Sequence, residues 1–433
     1  MSAPPSPARR GAAIVRTDAF QPHLVPGVHR LPGQGNSLAI ETERGVVLVD
    51  AGPGRRATAT MIERLRSVTD LPVSHIVYSH GHVGYNDGVA QWRTEAAGHG
   101  HPRPVTVAHA RVADRYRRYA ETAGLQAWLN SRQFRAAVRP PTADVFTMPD
   151  LAYEERLVID GGDRQVVLLA APSETDDTTA VWLPAERFLY GSAAVVSSIP
   201  NVGTPLRTWR DPMRWADTLE RLHALGPTTV LGEFGPPVAD PKGIDDLLLV
   251  PVAGLRWLRE QVVQRMNAGL HIDDIVHEVP LPEAIFGSRF MRPIYGAPEY
   301  VMRDIWRSEN GWWDRNPTTL HPSDPDTAAR DLADAIGATA DDAAHVVGEA
   351  RRLAEAGHTQ RAMHVLDLVA HQPPDAPGHA DAIALKAELC RRRATQVTSV
   401  VSRNLYRSAA EDLEGLPLGT TRADDPVQDF SWE

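Results

Sequence analysis

YSHGHVGYNDG, Tyr78 to Gly88, follows directly on a β-branched run, Ser74–Ser79 (SHIVYS). Two imidazoles two residues apart, His80 and His82, can both face one cation if the backbone leaves the strand there, and Gly81 and Gly84 permit the tight turn this requires. An ion held at such a strand end needs a further ligand from a distant strand. The run Gln165–Ala171 leads into a loop that offers one, Pro172-Ser173-Glu174-Thr175-Asp176-Asp177, with its carboxylates at the strand's carboxyl end.

Outward from this stretch, the first 250 residues alternate short strands with amphipathic helices, the pattern of a layered α/β domain. Strands are expected at Gly45–Asp50, Ser74–Ser79, Val105–His109, Gln165–Ala171, Thr179–Leu183, Arg187–Gly191 and Thr228–Leu231. Helices are expected at Ala57–Ser67, Val112–Ala123 and Pro212–Leu225. Beyond residue 250 the texture turns helical. Pro251–Ala268 reads as one helix with proline in its first turn, where the missing N–H costs nothing, and His271–Val279 as another. A Pro, Gly and aromatic stretch follows, and then an alanine-rich helical region in which Ala362, Val365, Leu366 and Val369 form one apolar stripe. The expected division is a loose tail (1–20), an α/β domain (21–250), a helical and aromatic connection (251–325), a helical domain (326–413) and a second loose tail (414–433).

Composition bounds the function. The chain has 433 residues, 42% hydrophobic and 23% charged, an ordinary globular balance. No apolar run approaches the roughly 18 residues of a spanning helix, so no membrane role is expected. A net charge of −10 argues against a nucleic-acid partner. The single cysteine, Cys390, excludes an internal disulfide and a cysteine-built zinc site, so any metal must rest on nitrogen and oxygen. MSAPPSPARRGAAIVR lacks the hydrophobic stretch of a secretory signal, which makes a cytoplasmic location the expectation.

Several stretches, taken in order, resemble one family. Gln34-Gly35-Asn36-Ser37 and VVLVDAG (with Asp50), the HGH of residues 80–82, the segment Ala108 to Phe134, PSETDD (172–177), WRDPMRW (209–215) and EYVMRDIWRSENGWWDRNP (299–317) are together similar to metallo-β-lactamase-fold hydrolases of the alkylsulfatase-like branch. The resemblance implies an αββα metallo-β-lactamase-type sandwich followed by a C-terminal helical dimerisation region, and hence a homodimer. It implies metal ligands at His80, His82 and Glu174, with Glu174 also catalytic. Arg207 and Arg210 resemble the arginines near an anionic head group in this branch. Tyr119 and Asn130 lie in its substrate-side insertion.

Departures from the family pattern are equally informative. Its metal motif, His-x-His-x-Asp-His, here ends in Gly84 and Tyr85. A later acidic position falls near Ser192, and a histidine after the last strand is replaced by Phe234. Three groups of one metal position survive, while those of the second are gone. Tyr85 then becomes a candidate to donate its phenol to substrate, and Phe234 to line a drier pocket. Glu233 could supply a carboxylate, but strand alternation would turn it opposite to residue 234. The favoured reading is an enzyme with at most one divalent metal (Zn, or Fe/Mn), hydrolysing a small anionic ester, thioester or sulfate-like substrate. The alternatives are a metal-free pseudoenzyme or binding pocket, and a mononuclear Fe or Mn enzyme doing oxidative, lyase or cyclase chemistry. His99 and His101, in a polar loop, imitate a metal pair and are set aside. Trp306, Trp312 and Trp313 read as packing.

Overall fold

The structure is a computed structural model and describes residues 16–335 and 340–420; most of both expected tails lies outside that range. Its strands are β1 (Arg16–Thr17), β2 (Gln21–Val25), β3 (Val28–Leu31), β4 (Gly33–Gln34), β5 (Ser37–Thr42), β6 (Gly45–Val49), β7 (Val73–Val77), β8 (Val105–His109), β9 (Leu151–Tyr153), β10 (Arg156–Asp160), β11 (Gln165–Ala170), β12 (Thr179–Leu183), β13 (Phe188–Ser192) and β14 (Thr229–Gly232). Among the described residues they form two main sheets, ordered β2-β3-β5-β6-β7-β8-β9 and β10-β11-β12-β13-β14, while β1 pairs with β4. The first sheet is antiparallel as far as β6 and parallel from β6 to β9. The second is antiparallel except for the β13–β14 pair.

Burial explains the layers. Strands β6 (GVVLV) and β13 (FLYGS) are buried at every residue, as strands covered on both faces must be. Val47, Val49, Val77 and Val107 from one sheet meet Leu168, Val181, Phe188, Tyr190 and Leu231 from the other in a shared core. Behind the first sheet, Leu48 and Ile76 pack with Met61, Leu65 and Trp92 from the helices Arg55–Arg66 and Val89–Gly98. Behind the second, Leu189 and Val230 pack with Trp215, Leu219, Leu248 and Leu255 from Pro212–His223 and Pro241–Asn267. This is the αββα sandwich.

Three expectations need correction. The long helix begins at Pro241, not Pro251: the Asp240 carboxylate caps it by accepting from Gly243 N at 2.6 Å, and Pro241 takes the first-turn position. Pro251 lies buried inside the helix, where apolar packing holds a residue that breaks the hydrogen-bond ladder. The compact units also divide between Trp306 and Arg307, not near 250. Residues 139–306 belong with the sandwich because the helices after 250 cover its second sheet. The other unit holds Arg307–Val427 together with Trp128–Val138. Its helices Ala340–Glu355, Thr359–Ala370, His379–Gln396 and Val400–Leu413 bury Ala350, Leu366, Leu385 and Cys390 in one core. Arg135 pairs with Glu411 at 2.6 Å and Asn404 Nδ2 donates to Gln133 O at 2.8 Å, which ties the 128–138 segment to the last helix. Trp306 is buried, whereas Trp312 is 73% exposed and is not a packing residue.

Candidate metal centre

Strand β7 ends at Val77, and the chain then turns out of the sheet through Tyr78-Ser79-His80. Asp50, just past β6, directs that turn: its Oδ1 accepts from Ser79 N at 2.8 Å and from Asn86 Nδ2 at 3.1 Å. Asp50 Oδ2 is buried and has no hydrogen-bond partner. Burial raises its carboxyl from 3.8 to about 7, against the bonds from Ser79 and Asn86. The native state therefore keeps a proton that the unfolded chain releases near pH 4, and this contribution to stability is lost as pH rises through 7. Asp50→Asn should flatten the dependence. The stability of the native chain relative to the variant, from urea unfolding, should fall between pH 4 and pH 8 by up to about 4 kcal/mol. A difference that does not change with pH would count against this account.

The turn delivers both imidazoles to one point. His80 Nδ1 bonds Ser79 Oγ at 2.9 Å, leaving Nε2 facing His82 Nδ1 at 2.9 Å. From the loop after β11, Glu174 Oε2 comes to 3.7 Å from His82 Nδ1. Ligand atoms of His80, His82 and Glu174 all lie within 4.8 Å of one another. Both histidines are held neutral, and their facing nitrogens share a hydrogen bond whose proton an ion would displace. Burial lowers His80 to about 4, and burial followed by the nearby His80 takes His82 well below its ordinary value. Burial works to raise the Glu174 carboxyl, but the Arg210 guanidinium outweighs it and keeps it ionised.

Surrounding residues set these groups in place. Arg210 Nη1 sits 3.1 Å from Glu174 Oε1, and Asn201 Nδ2 donates to the same oxygen at 2.7 Å. Asp177 is fully buried, accepts from Gly81 N at 3.2 Å and pairs with Arg115 Nε at 2.6 Å. A Cβ at Gly81 would stand 2.8 Å from that carboxylate, so this glycine serves close approach. Gly84 is required for a different reason. Its φ is +97°, a backbone conformation that side chains rarely adopt, and a Cβ there would also press on the Gln34 amide, so a ligating side chain is strained at the position.

Of the other expected site residues, Tyr119 stacks at 6.4 Å on His82 and walls that side. Arg207 is half-buried, acts electrostatically on Glu174 and His82, and hydrogen-bonds the half-buried Tyr295. Phe234 is buried beyond the end of β14. Asn130 falls in the 128–138 segment, in the helical unit. Tyr85 packs its ring 4.2 Å from His80 and donates its hydroxyl to Glu233 Oε1.

Glu233 is the residue that strand alternation misjudges. Strand β14 ends at Gly232, so the alternation no longer applies at 233. Glu233 N donates to Val195 O at 2.9 Å and Glu233 O accepts from Asn36 N at 2.7 Å, and the side chain enters the site, with Oε1 3.9 Å from His80 Nε2. Burial and then Glu174 push its carboxyl well above the usual range. Asn201 and Tyr295 carried no signal in the sequence, since each reaches the site only through packing of remote loops.

Comparison with known proteins agrees with this fold. Residues 30–221 match the metallo-beta-lactamase superfamily, and residues 271–415 match the alkyl sulfatase dimerisation family. A linear primary-alkylsulfatase of Pseudomonas sp. is 26% identical over 402 residues, covering 87% of this chain and 73% of its own. An (R)-specific secondary-alkylsulfatase of Pseudomonas sp. is 25% identical, covering 92% of this chain and 63% of its own. The solved structure of the stereoselective inverting sec-alkylsulfatase Pisa1 from Pseudomonas sp. has the same fold, with a TM-score of 0.76 at 20% identity over 91% of this chain and 65% of that one. The chain thus spans just under two thirds of the last two relatives. It joins a metallo-beta-lactamase domain to an alkyl sulfatase dimerisation region, and it is a homologue of the alkylsulfatases.

Proposed function

We propose that this chain hydrolyses a small anionic ester of the alkyl sulfate type with one divalent ion held by His80, His82 and Glu174. The convergence of these three ligand atoms carries the reading. Two neutral imidazoles and one ionised carboxylate are a donor set that suits zinc and leaves positions open. Only one such set is present among the described residues. Gly84, Ser192 and Phe234 offer no carboxylate or imidazole, which supports a single ion where the family pattern implies two.

When bound, the ion would supply a Lewis acid for the ester oxygen and lower the pKa of an attacking water. The chain's own residues do the rest. Arg207 places positive charge beside Glu174 and His82, at the point where a sulfate, phosphate or carboxylate head group would sit. Tyr119 and Phe234 contribute apolar surface. Arg210 is committed to Glu174, and its role is to keep that carboxylate ionised and aimed. Residues 271–415, matched by the dimerisation family, would pair two copies.

Metal analysis of purified protein, followed by sulfate release from short alkyl sulfates, tests the proposal. The expected result is about one equivalent of metal per chain and chelator-sensitive sulfate release. Two equivalents would remove the single-ion reading. Protein that binds no metal at all, with micromolar zinc supplied, would favour a metal-free binding pocket instead.

A further inference from the structure

The geometry points to Arg115, acting through Asp177, as the residue that sets the spacing of the two loops carrying the metal ligands. This rests on the single-ion reading and adds to it a positioning residue from the helix Arg111–Glu121, which lends no side chain to the ligand group.

Asp177 lies three residues after Glu174, in the same loop, and its side chain is fully buried. Three donors hold its carboxylate. Oδ2 accepts from Gly81 N, between the two histidines, at 3.2 Å, and from Arg115 Nε at 2.6 Å. Oδ1 accepts from the hydroxyl of Thr175, the neighbour of Glu174. One carboxylate thus joins the loop of His80 and His82 to the loop of Glu174. A backbone bond, Thr179 N to Ser79 O at 2.7 Å, also joins them, but it is made before the first histidine and beyond the carboxylates. The Asp177 bond is made between the histidines. A shift there changes the separation of His82 from Glu174, which is 3.7 Å in the structure.

Arg115 makes this link rigid. Its side chain is 10% exposed and spans the loop, with Nε on Asp177 and Nη2 on Asp176 Oδ1, each at 2.6 Å. A planar fork fixes both carboxylates at once, which a single ammonium cannot do. Arg111, one turn earlier, takes the other oxygen of Asp176 at 3.2 Å. The stem of Arg115 also lies on the histidine turn, since a Cβ added at Gly81 would stand 2.9 Å from Arg115 Cδ. The helix itself is anchored by Val112 and Tyr116, which are buried with Leu48, Ile76 and Trp92 behind the first sheet. One turn beyond Arg115, Tyr119 stacks on His82. Both ligand loops are therefore referred to a helix packed on the core. Ligands already ordered at the right separation bind an ion more tightly, because the ordering of two loops then does not count against binding.

Zinc(II) affinity by chelator competition, the visible spectrum of cobalt(II)-loaded protein and thermal unfolding without metal test this on the native chain, Arg115→Lys, Asp177→Asn and Arg66→Lys. Arg66 is the control. Its Nε also pairs with a largely buried carboxylate, Glu95, at 2.6 Å, but between the outer helices Arg55–Arg66 and Val89–Gly98. Arg115→Lys and Asp177→Asn should each keep one equivalent of zinc, with affinity weakened about ten- to a hundredfold and a shifted cobalt band. Arg66→Lys should unfold at a lower temperature than the native chain and keep its zinc affinity and cobalt spectrum. Native affinity with an unchanged cobalt spectrum in either Arg115→Lys or Asp177→Asn would overturn the assignment. An equal loss of affinity in Arg66→Lys would overturn it too, as the mark of general destabilisation. In both cases one equivalent bound by the native chain and lost on His80→Ala would show that the single-ion site itself stands. A native chain that binds neither zinc nor cobalt would overturn both readings together.

Discussion

His80→Ala should reduce bound zinc from about one equivalent to below about a tenth, because losing one of three convergent ligands leaves a pair too weak to hold the ion. His80 Nε2 is the atom that His82 and Glu233 both face, at 2.9 and 3.9 Å, so no other group can take its position. Sulfate release, if the proposed activity is present, should fall at least about a thousandfold, since several kcal/mol of transition-state stabilisation leave with the ion. His80 is fully buried, and its removal opens a cavity that could itself disturb the fold. His82→Ala is therefore the companion variant. Its side chain is 25% exposed, so a packing defect there is milder, and the same loss of metal is expected. Circular dichroism should match the native chain. A full equivalent of zinc in both variants would refute the ligand assignment.

Arg210→Met should give the largest loss of stability at this site. The methionine retains most of the apolar volume, but Glu174 loses the cation 3.1 Å from its Oε1, and the Asn201 carbonyl loses a donor at 2.8 Å. Both partners of the pair are buried, 6% and 9% exposed, so removing one strands a charge in the interior. That costs about 3–5 kcal/mol and lowers the melting temperature by roughly 6–15 °C. Zinc should then restore a larger share of stability to the variant than it adds to the native chain, because the ion takes over part of the compensating charge. Arg210→Met combined with Glu174→Gln should lose less than Arg210→Met alone, since no unpaired charge remains. A single variant as stable as the native chain, with the same response to zinc, would mean that the ion pair contributes nothing.

Much of this protein was legible in its sequence. Continuous apolar runs such as GVVLV and FLYG could be read as strands covered on both faces, and the helices between them as the outer layers, because burial on two sides leaves no room for alternation. His80, His82 and Glu174 were legible for a related reason. A short imidazole pair just past β7 of one sheet and a carboxylate loop just past β11 of the other are strand-end groups that the sandwich brings together. The helix start was misread at Pro251, because proline marks a first turn only when nothing else caps the helix, and Asp240-Pro241 does so ten residues earlier.

What the sequence determined by itself is the chain's donor inventory. With one cysteine, any ion must be held by nitrogen and oxygen, and glycine at position 84 offers no donor of its own. Tertiary structure alone decided how those donors are shared out. Arg210 reads as a free guanidinium for an anion, yet the fold commits it to Glu174, and Glu233 reads as facing away, yet the end of β14 turns it to His80. The reason is physical. Strand alternation and residue type are local rules, whereas the pairing of buried charges depends on which remote loops the packing brings within 4 Å, and here those loops start some 90 to 150 residues beyond the histidines they meet.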